Sequence, residues 1–196
     1  MHLPVFAPPP IRHAHLGFRC TECGACCRTL RVAVTHHDVR RLVHATVKAA
    51  AELVAWLAPD EVDMTGEPET FVELGLGRRL MVLAQRDGAC TLLGPDNRCQ
   101  AYAARPRDCE LFPFDPELAA DGALQTLELL PFPACEATSD GSNDAHELAA
   151  SHVRRERELA DYRQRVRAWN QLALRRRRFG HPVGGSARFL AFLGVG

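Results

Sequence analysis

Four cysteines stand within eight residues, Cys20-Thr21-Glu22-Cys23-Gly24-Ala25-Cys26-Cys27, and four more follow at Cys90, Cys99, Cys109 and Cys135. Closely spaced thiolates repel one another unless something positive lies among them, and a metal ion or an iron–sulfur cluster is the usual partner. Two intervening residues let a turn bring Cys20, Cys23 and Cys26 to one point, with backbone amides free to donate to the sulfurs. Such a C-x2-C-x2-C run matches the bacterial ferredoxin arrangement, in which three thiolates hold three corners of a cubane. Structural zinc more often takes separated pairs. The spacing leans toward a 4Fe-4S cluster, with zinc as the alternative. Cys27 is awkward for the same compact centre, because adjacent residues project their side chains differently; a second metal, or a flanking role beside the first, is expected for it. Eight cysteines fit two four-sulfur sites, or one cubane with spare thiols.

Other uses of these thiols weigh less. Core packing accounts for Cys135 as well as ligation does, but a loop has no packing reason to gather four thiols. A disulfide framework requires an oxidising compartment. The opening residues, Met1 to Pro10, carry no basic start followed by an apolar run, so a cytoplasmic location is expected. A redox pair of Cys20 and Cys23 lacks the strand–motif–helix setting of such motifs. His13 and His15 could ligate but read as part of an exposed lead-in, and His36 and His37 read as solvated first-turn residues. Gly75-Leu76-Gly77 lacks the third glycine of a dinucleotide loop. The formal net charge is zero, so no global basic field argues for nucleic acid or an anionic membrane, and Arg175 to Arg178 read as a solvated helix end. No apolar stretch is long enough to span a bilayer.

The elements that must position the thiols follow from local patterning. Residues 1–15 read as a proline-rich lead-in. Val32 and Val34 give a short strand-like alternation. Thr35 and Asp38 resemble a capping box, and apolar residues from Val39 to Leu57 recur at helical spacing, which predicts one helix from His36 to Leu57 closed by Pro59. An acidic, polar loop with Gly66 and Pro68 follows. Leu80 to Ala84 reads as a buried strand, Arg86-Asp87-Gly88 as a turn, and Cys90 to Leu93 as the return strand. Cys99 to Cys109 reads as a helical turn broken by Pro106, and Leu124 to Leu130 as another strand. A long amphipathic helix over 143–180 contains Leu148, Leu159, Tyr162, Val166, Trp169 and Ala173 near one seam, with Gly180 as its stop. The tail, 181–196, includes an apolar run from Phe189 to Leu193 suited to dock back on the body.

Taken in order, the cysteine motifs resemble the CxxCxxCC cysteine-cluster family, also called the YkgJ family, of zinc- or iron-chelating proteins. The matching residues are Phe18, Cys20, Cys23, Gly24, Cys26 and Cys27. They continue with Gly88-Ala89-Cys90-Thr91-Leu92-Leu93, Cys99, Tyr102, Arg105-Pro106-Arg107-Asp108-Cys109 and Phe112-Pro113. Glu110 stands where arginine is frequent, and Ala101 where a bulky aliphatic residue is frequent. The resemblance covers residues 16–136 and implies a metal-chelating domain, zinc or iron. It extends to the cysteine-rich part of flagellin lysine N-methylases, which hints at iron–sulfur chemistry coupled to protein modification.

The expected molecule is an α+β metalloprotein with an irregular cysteine-rich core, an N-terminal-half helix and a long C-terminal helix. Cys20, Cys23 and Cys26 lead the ligand candidates, followed by Cys90, Cys99 and Cys109, then Cys27, then Cys135. Metal chelation is the expected function. The alternatives are an iron–sulfur-dependent protein-modifying enzyme and a zinc-structured adaptor that docks a protein partner through its C-terminal helix. Exposure of Leu159 and Val166 would mark the adaptor, and a cleft reaching the centre would mark the enzyme.

Overall fold

A computed structural model of the chain describes residues 16–62, 68–132, 134 and 138–196. The proline-rich lead-in with His13 and His15, the Gly66 turn and Cys135 lie outside the described residues. The fold is α+β, with helices packed against short antiparallel strands.

Helix α1 (Ala25–Thr29) carries Cys26 and Cys27. Helix α2 (His36–Thr46) starts as expected: Thr35 caps it, and Asp38 accepts back from the Thr35 N–H at 2.8 Å. Its end differs from the expectation. Val47 turns the chain with φ 57° and is 94% exposed, a short helix α3 (Ala50–Leu53) follows, and Val54–Leu57 is strand β1. The β-branched and aromatic run Val54-Ala55-Trp56 suits a pleated surface and pairs with a buried strand, which outweighs the helical spacing of its apolar residues.

That buried strand is β3 (Gly77–Leu83), flanked by β1 and by β2 (Val72–Leu74) in the order β1-β3-β2. Val54 faces Leu83 and Leu57 faces Leu80, while Val72 faces Arg79. The valine alternation before α2 lies along the other side of β3: Leu83 N–H donates to Val32 O at 2.9 Å, and Val34 N–H to Met81 O at 3.1 Å. The Asp87-Gly88 turn joins β4 (Gln85–Arg86) to β5 (Ala89–Cys90), with positive φ at both turn residues as a tight hairpin requires. The return strand is thus shorter than expected and ends at Cys90. Helix α4 (Arg107–Leu111) follows Pro106, and β6 (Phe114–Leu118) pairs with β7 (Leu124–Leu129).

Helix α5 (Ala145–Arg178) is the long helix, capped by Asp144, and it lays Leu159, Tyr162, Val166, Trp169 and Ala173 into the core. Trp169 Nε1–H donates to Glu73 O at 2.7 Å. Asn170 accepts from Glu73 N–H at 2.8 Å and donates to Phe71 O at 2.9 Å, so two side chains of α5 satisfy the edge of β2. Helix α6 (Ser186–Leu193) docks back through Phe189, Leu190 and Leu193, with the Phe189 ring 5.2 Å from Trp169 and 5.9 Å from Trp56. Each such fully buried side chain contributes about 1.5–3 kcal/mol. Because Leu159 and Val166 belong to this core, the seam of α5 is an internal packing face. Among the described residues no helix is long and apolar enough to cross a membrane.

Candidate metal centre

The described cysteines come from three stretches that the fold brings to one place. The loop and helix α1 supply Cys20, Cys23, Cys26 and Cys27; the 90–99 hairpin supplies Cys90 and Cys99; α4 supplies Cys109. All seven line one cleft of about 990 Å³. Cys20 is exposed at its rim, and the other six are partly buried. Cys90, Cys99 and Cys109 pack against the main hydrophobic core, which fixes their backbones to a rigid body.

Glycine at position 24 allows the first two stretches to meet. Gly24 has φ 74°, and a Cβ there would lie 2.8 Å from Asn97 O and 3.1 Å from Leu93 Cδ1. The contact is fastened by Arg28, whose Nη2 donates to Asn97 Oδ1 at 2.6 Å. On the far side, Leu93 and Cys99 form a β-bridge that closes the Gly94–Asn97 loop. Cys20 Sγ accepts from the Glu22 N–H at 3.4 Å, the backbone donation expected of a turn built around thiolates.

The thiols feel one another. Cys26 is pushed down to about 6, first by a hydrogen bond from Cys27 and also by backbone amides of the same turn, against the effect of burial. Cys27 moves up, because it is the donor in that bond, because it is partly buried, and because Cys26, Cys90 and Cys99 lie near. Burial raises Cys109 well above the ordinary thiol range, with further contributions from Cys90, Cys26 and Cys99. Burial raises Cys90 as well, followed by Cys99 and Cys26. Sequence adjacency therefore does not part Cys26 from Cys27: helix α1 sets the two sulfurs within hydrogen-bonding reach. Three thiols pushed up by burial and by their neighbours, beside one pushed down, are a poor arrangement for free cysteine and a suitable one for a cation, which would ionise them together.

The rest of the cleft fits such a group. Arg105, Arg107 and Arg155 also line it; Arg107 pairs with Glu110 and Glu158, and Arg155 with Asp108, on the same wall. Arg105 lies 3.9 Å over the Tyr102 ring and donates to Tyr102 O at 2.9 Å. Tyr162, from α5, is 2% exposed and lines the cleft with a hydroxyl that has no hydrogen-bond partner among the described residues. A buried hydroxyl without an acceptor on the wall of such a cleft is a donor that a bound group could use.

Two residues were not legible as parts of this wall. Tyr162 and Arg155 reach the cleft from the long helix, far from any cysteine in sequence. Glu110, which departs from the family pattern, accepts from Arg107 Nη1 at 2.6 Å and from Ser151 Oγ at 2.8 Å, and so ties α4 to α5. His36 differs from its expected solvated role: it is fully buried, while His37 is partly exposed.

The CxxCxxCC family model, described as "Putative zinc- or iron-chelating domain", matches residues 19–132. No curated protein and no solved structure matches the chain.

Proposed function

The chain belongs to the CxxCxxCC family of metal-chelating domains, and on that basis we propose that the group it holds is an iron–sulfur cluster of the 4Fe-4S type. The observation that carries this reading is the gathering of seven thiols around one cleft. A structural zinc and a 4Fe-4S cluster each take four cysteines and leave three of these thiols over, so it is the space between the three stretches, larger than a closed tetrahedral zinc site needs, that favours the cluster. Cys26, Cys90, Cys99 and Cys109 are the proposed ligands: all four line the cleft, Cys90, Cys99 and Cys109 are anchored on the main core, and Cys27, which lies as near, is engaged as the donor to Cys26. This choice keeps Cys26 from the leading sequence candidates and leaves Cys20, at the rim, and the partly buried Cys23 outside the set. Cys27 donates to the Cys26 sulfur. Cys135 is retained as a candidate on its sequence position alone.

When bound, a cluster of this type supplies a one-electron redox couple whose potential follows its charge, hydrogen bonds and solvent exposure. The protein residues around it have separate tasks. Arg105, held over the Tyr102 ring, is available to offset thiolate charge, Arg107 and Arg155 hold the carboxylates of the same wall, and the Tyr162 hydroxyl would serve as a donor toward the cleft. The opening beside Cys20 admits solvent or a second molecule. An open cleft with the α5 seam buried favours chemistry at the centre over an adaptor that docks through that seam.

Anaerobic purification followed by iron, sulfide and zinc quantification tests the reading. Brown protein with about four irons and four sulfides per chain is expected. Colourless protein carrying stoichiometric zinc would overturn the cluster and leave the zinc-structured alternative.

A further inference from the structure

A second group of ligand-type side chains lies where the start of α2 meets α5. Among the described residues, His36, His37 and Asp161 bring one ligand atom each within 4.8 Å of one another. Asp161 Oδ2 is 2.8 Å from His37 Nε2 and 3.2 Å from His36 Nε2. The His36 side chain is fully buried, yet among the described residues neither of its ring nitrogens has a hydrogen-bond partner. Its Nε2 approaches the carboxylate without the alignment a hydrogen bond needs. None of the three residues lines the cysteine cleft, although Tyr162 stacks on the His36 ring at 6.2 Å.

An unpartnered imidazole nitrogen buried in the interior is costly unless something uses its lone pair. A proton cannot serve easily, because burial and the neighbouring His37 both oppose the charged ring. A metal ion can, since it binds neutral imidazole and brings the carboxylate's counter-charge with it. Two imidazoles and one carboxylate are borderline N/O donors, a set suited to zinc or ferrous iron and unlike the soft thiolates of the cleft. Three protein ligands leave at least one position for water or a substrate oxygen. Asp161 and His37 are partly exposed, at 38% and 30%, so that position has an approach from solvent.

We propose that His36, His37 and Asp161 form a second, independent site for a divalent transition-metal ion of the Zn2+ or Fe2+ class. It joins α2 to α5. The competing use of Asp161 is as an ion-pair partner of Arg165, whose Nε lies 3.5 Å from the same oxygen. Arg165 is 41% exposed, and on metal binding it turns outward into solvent.

The test uses the full chain with its cysteine centre loaded, titrated anaerobically with Co2+. One added equivalent is expected, with ligand-field absorption and no thiolate-to-cobalt charge-transfer band. His37→Ala and Asp161→Asn should each lose that equivalent while the metal content of the cysteine centre stays unchanged, and Arg165→Gln should bind cobalt more tightly. In the unsubstituted protein, the paramagnetic ion should broaden the imidazole resonances of His36 and His37 and spare that of His44, which decides the matter even if a variant misfolds. Absence of the added equivalent, its persistence in His37→Ala, or broadening confined to other histidines would overturn the site. None of these readings depends on whether the cysteines hold iron or zinc.

Discussion

The backbone N–H of Arg107 donates to Asp38 Oδ1 at 3.1 Å, joining the first residue of α4 to the first turn of α2 across sixty-nine positions of sequence. The other carboxylate oxygen accepts from the Thr35 N–H at 2.8 Å and the Thr35 hydroxyl at 2.7 Å. Arg41 pairs with the carboxylate and continues to Glu158 on α5, which also accepts from Arg107. Burial pushes the Asp38 carboxyl up, and these donors work against that shift. One side chain therefore caps α2 and sets the entry of the helix that carries Cys109. The thiol's position depends on this polar joint as much as on the apolar core.

Asp38→Asn is expected to separate the two roles. An amide keeps one acceptor oxygen where the carboxylate has two, so either the α2 cap or the Arg107 N–H is left unmet. The cost is about 2–4 kcal/mol, combining a lost cap with a buried unsatisfied group. Thr35→Ala touches the cap alone and should cost about 1 kcal/mol. Chemical denaturation of the three proteins checks the order, and metal content should fall in Asp38→Asn and hold in Thr35→Ala.

Gly24→Ala should damage the centre without removing a thiol. The left-handed conformation costs a non-glycine residue roughly 1–2 kcal/mol. The new Cβ would also meet the backbone oxygen of Asn97, which has no flexible end to move aside. The loop bearing Cys20 and Cys23 then parts from the 93–97 loop. Lower unfolding free energy together with lower iron per chain is the expected result. Normal metal loading in a folded Gly24→Ala protein would show that the close approach is unimportant.

The legible parts of this molecule share a local cause. Helix α5 follows from a long stretch free of proline and glycine with one recurring apolar face, and the start of α2 follows from Thr35 and Asp38 standing three apart. The Asp87-Gly88 turn is equally local. What sequence spacing does not reveal is set by distant partners. Val54 to Leu57 has helical spacing but becomes β1 because β3 offers it a buried edge. Pro116 hides β6, which forms because β7 pairs with it. The same holds at the sites. The CxxCxxCC run announces a metal centre, whereas Tyr162 and Arg155 join its wall, and Asp161 joins His37, only through the packing of α5.

The Arg19–Asp140 pair, next to Cys20 in sequence, gives a pH signature. The Arg19 hydrogen bond, with help from Thr138, holds the Asp140 carboxyl down at about 2 against an ordinary 3.8. A folded-state value below the unfolded one means the pair favours the fold above pH 3.8, and that contribution fades as pH falls toward 2. Both side chains are exposed, so the effect on stability is small and salt-sensitive. Carboxyl NMR titration should place the Asp140 midpoint near 2, and Arg19→Ala should return it toward 3.8. An unchanged midpoint in Arg19→Ala would mean another group holds the proton off.

Tyr162→Phe probes the centre from the helix side. In metal-free protein the buried hydroxyl has no partner among the described residues, and burial pushes its pKa far above the ordinary phenol range. Removing such a group is expected to stabilise the metal-free fold by about 1 kcal/mol. With a cluster in the cleft, the hydroxyl can donate to a sulfur, and Phe forfeits that bond. The gain should therefore shrink or reverse on loading. Urea unfolding of both proteins, with and without metal, measures the difference. Equal gains in the two states would leave the hydroxyl with no role at the centre, while a loss in metal-free protein would mean that Tyr162 has a partner within the fold itself.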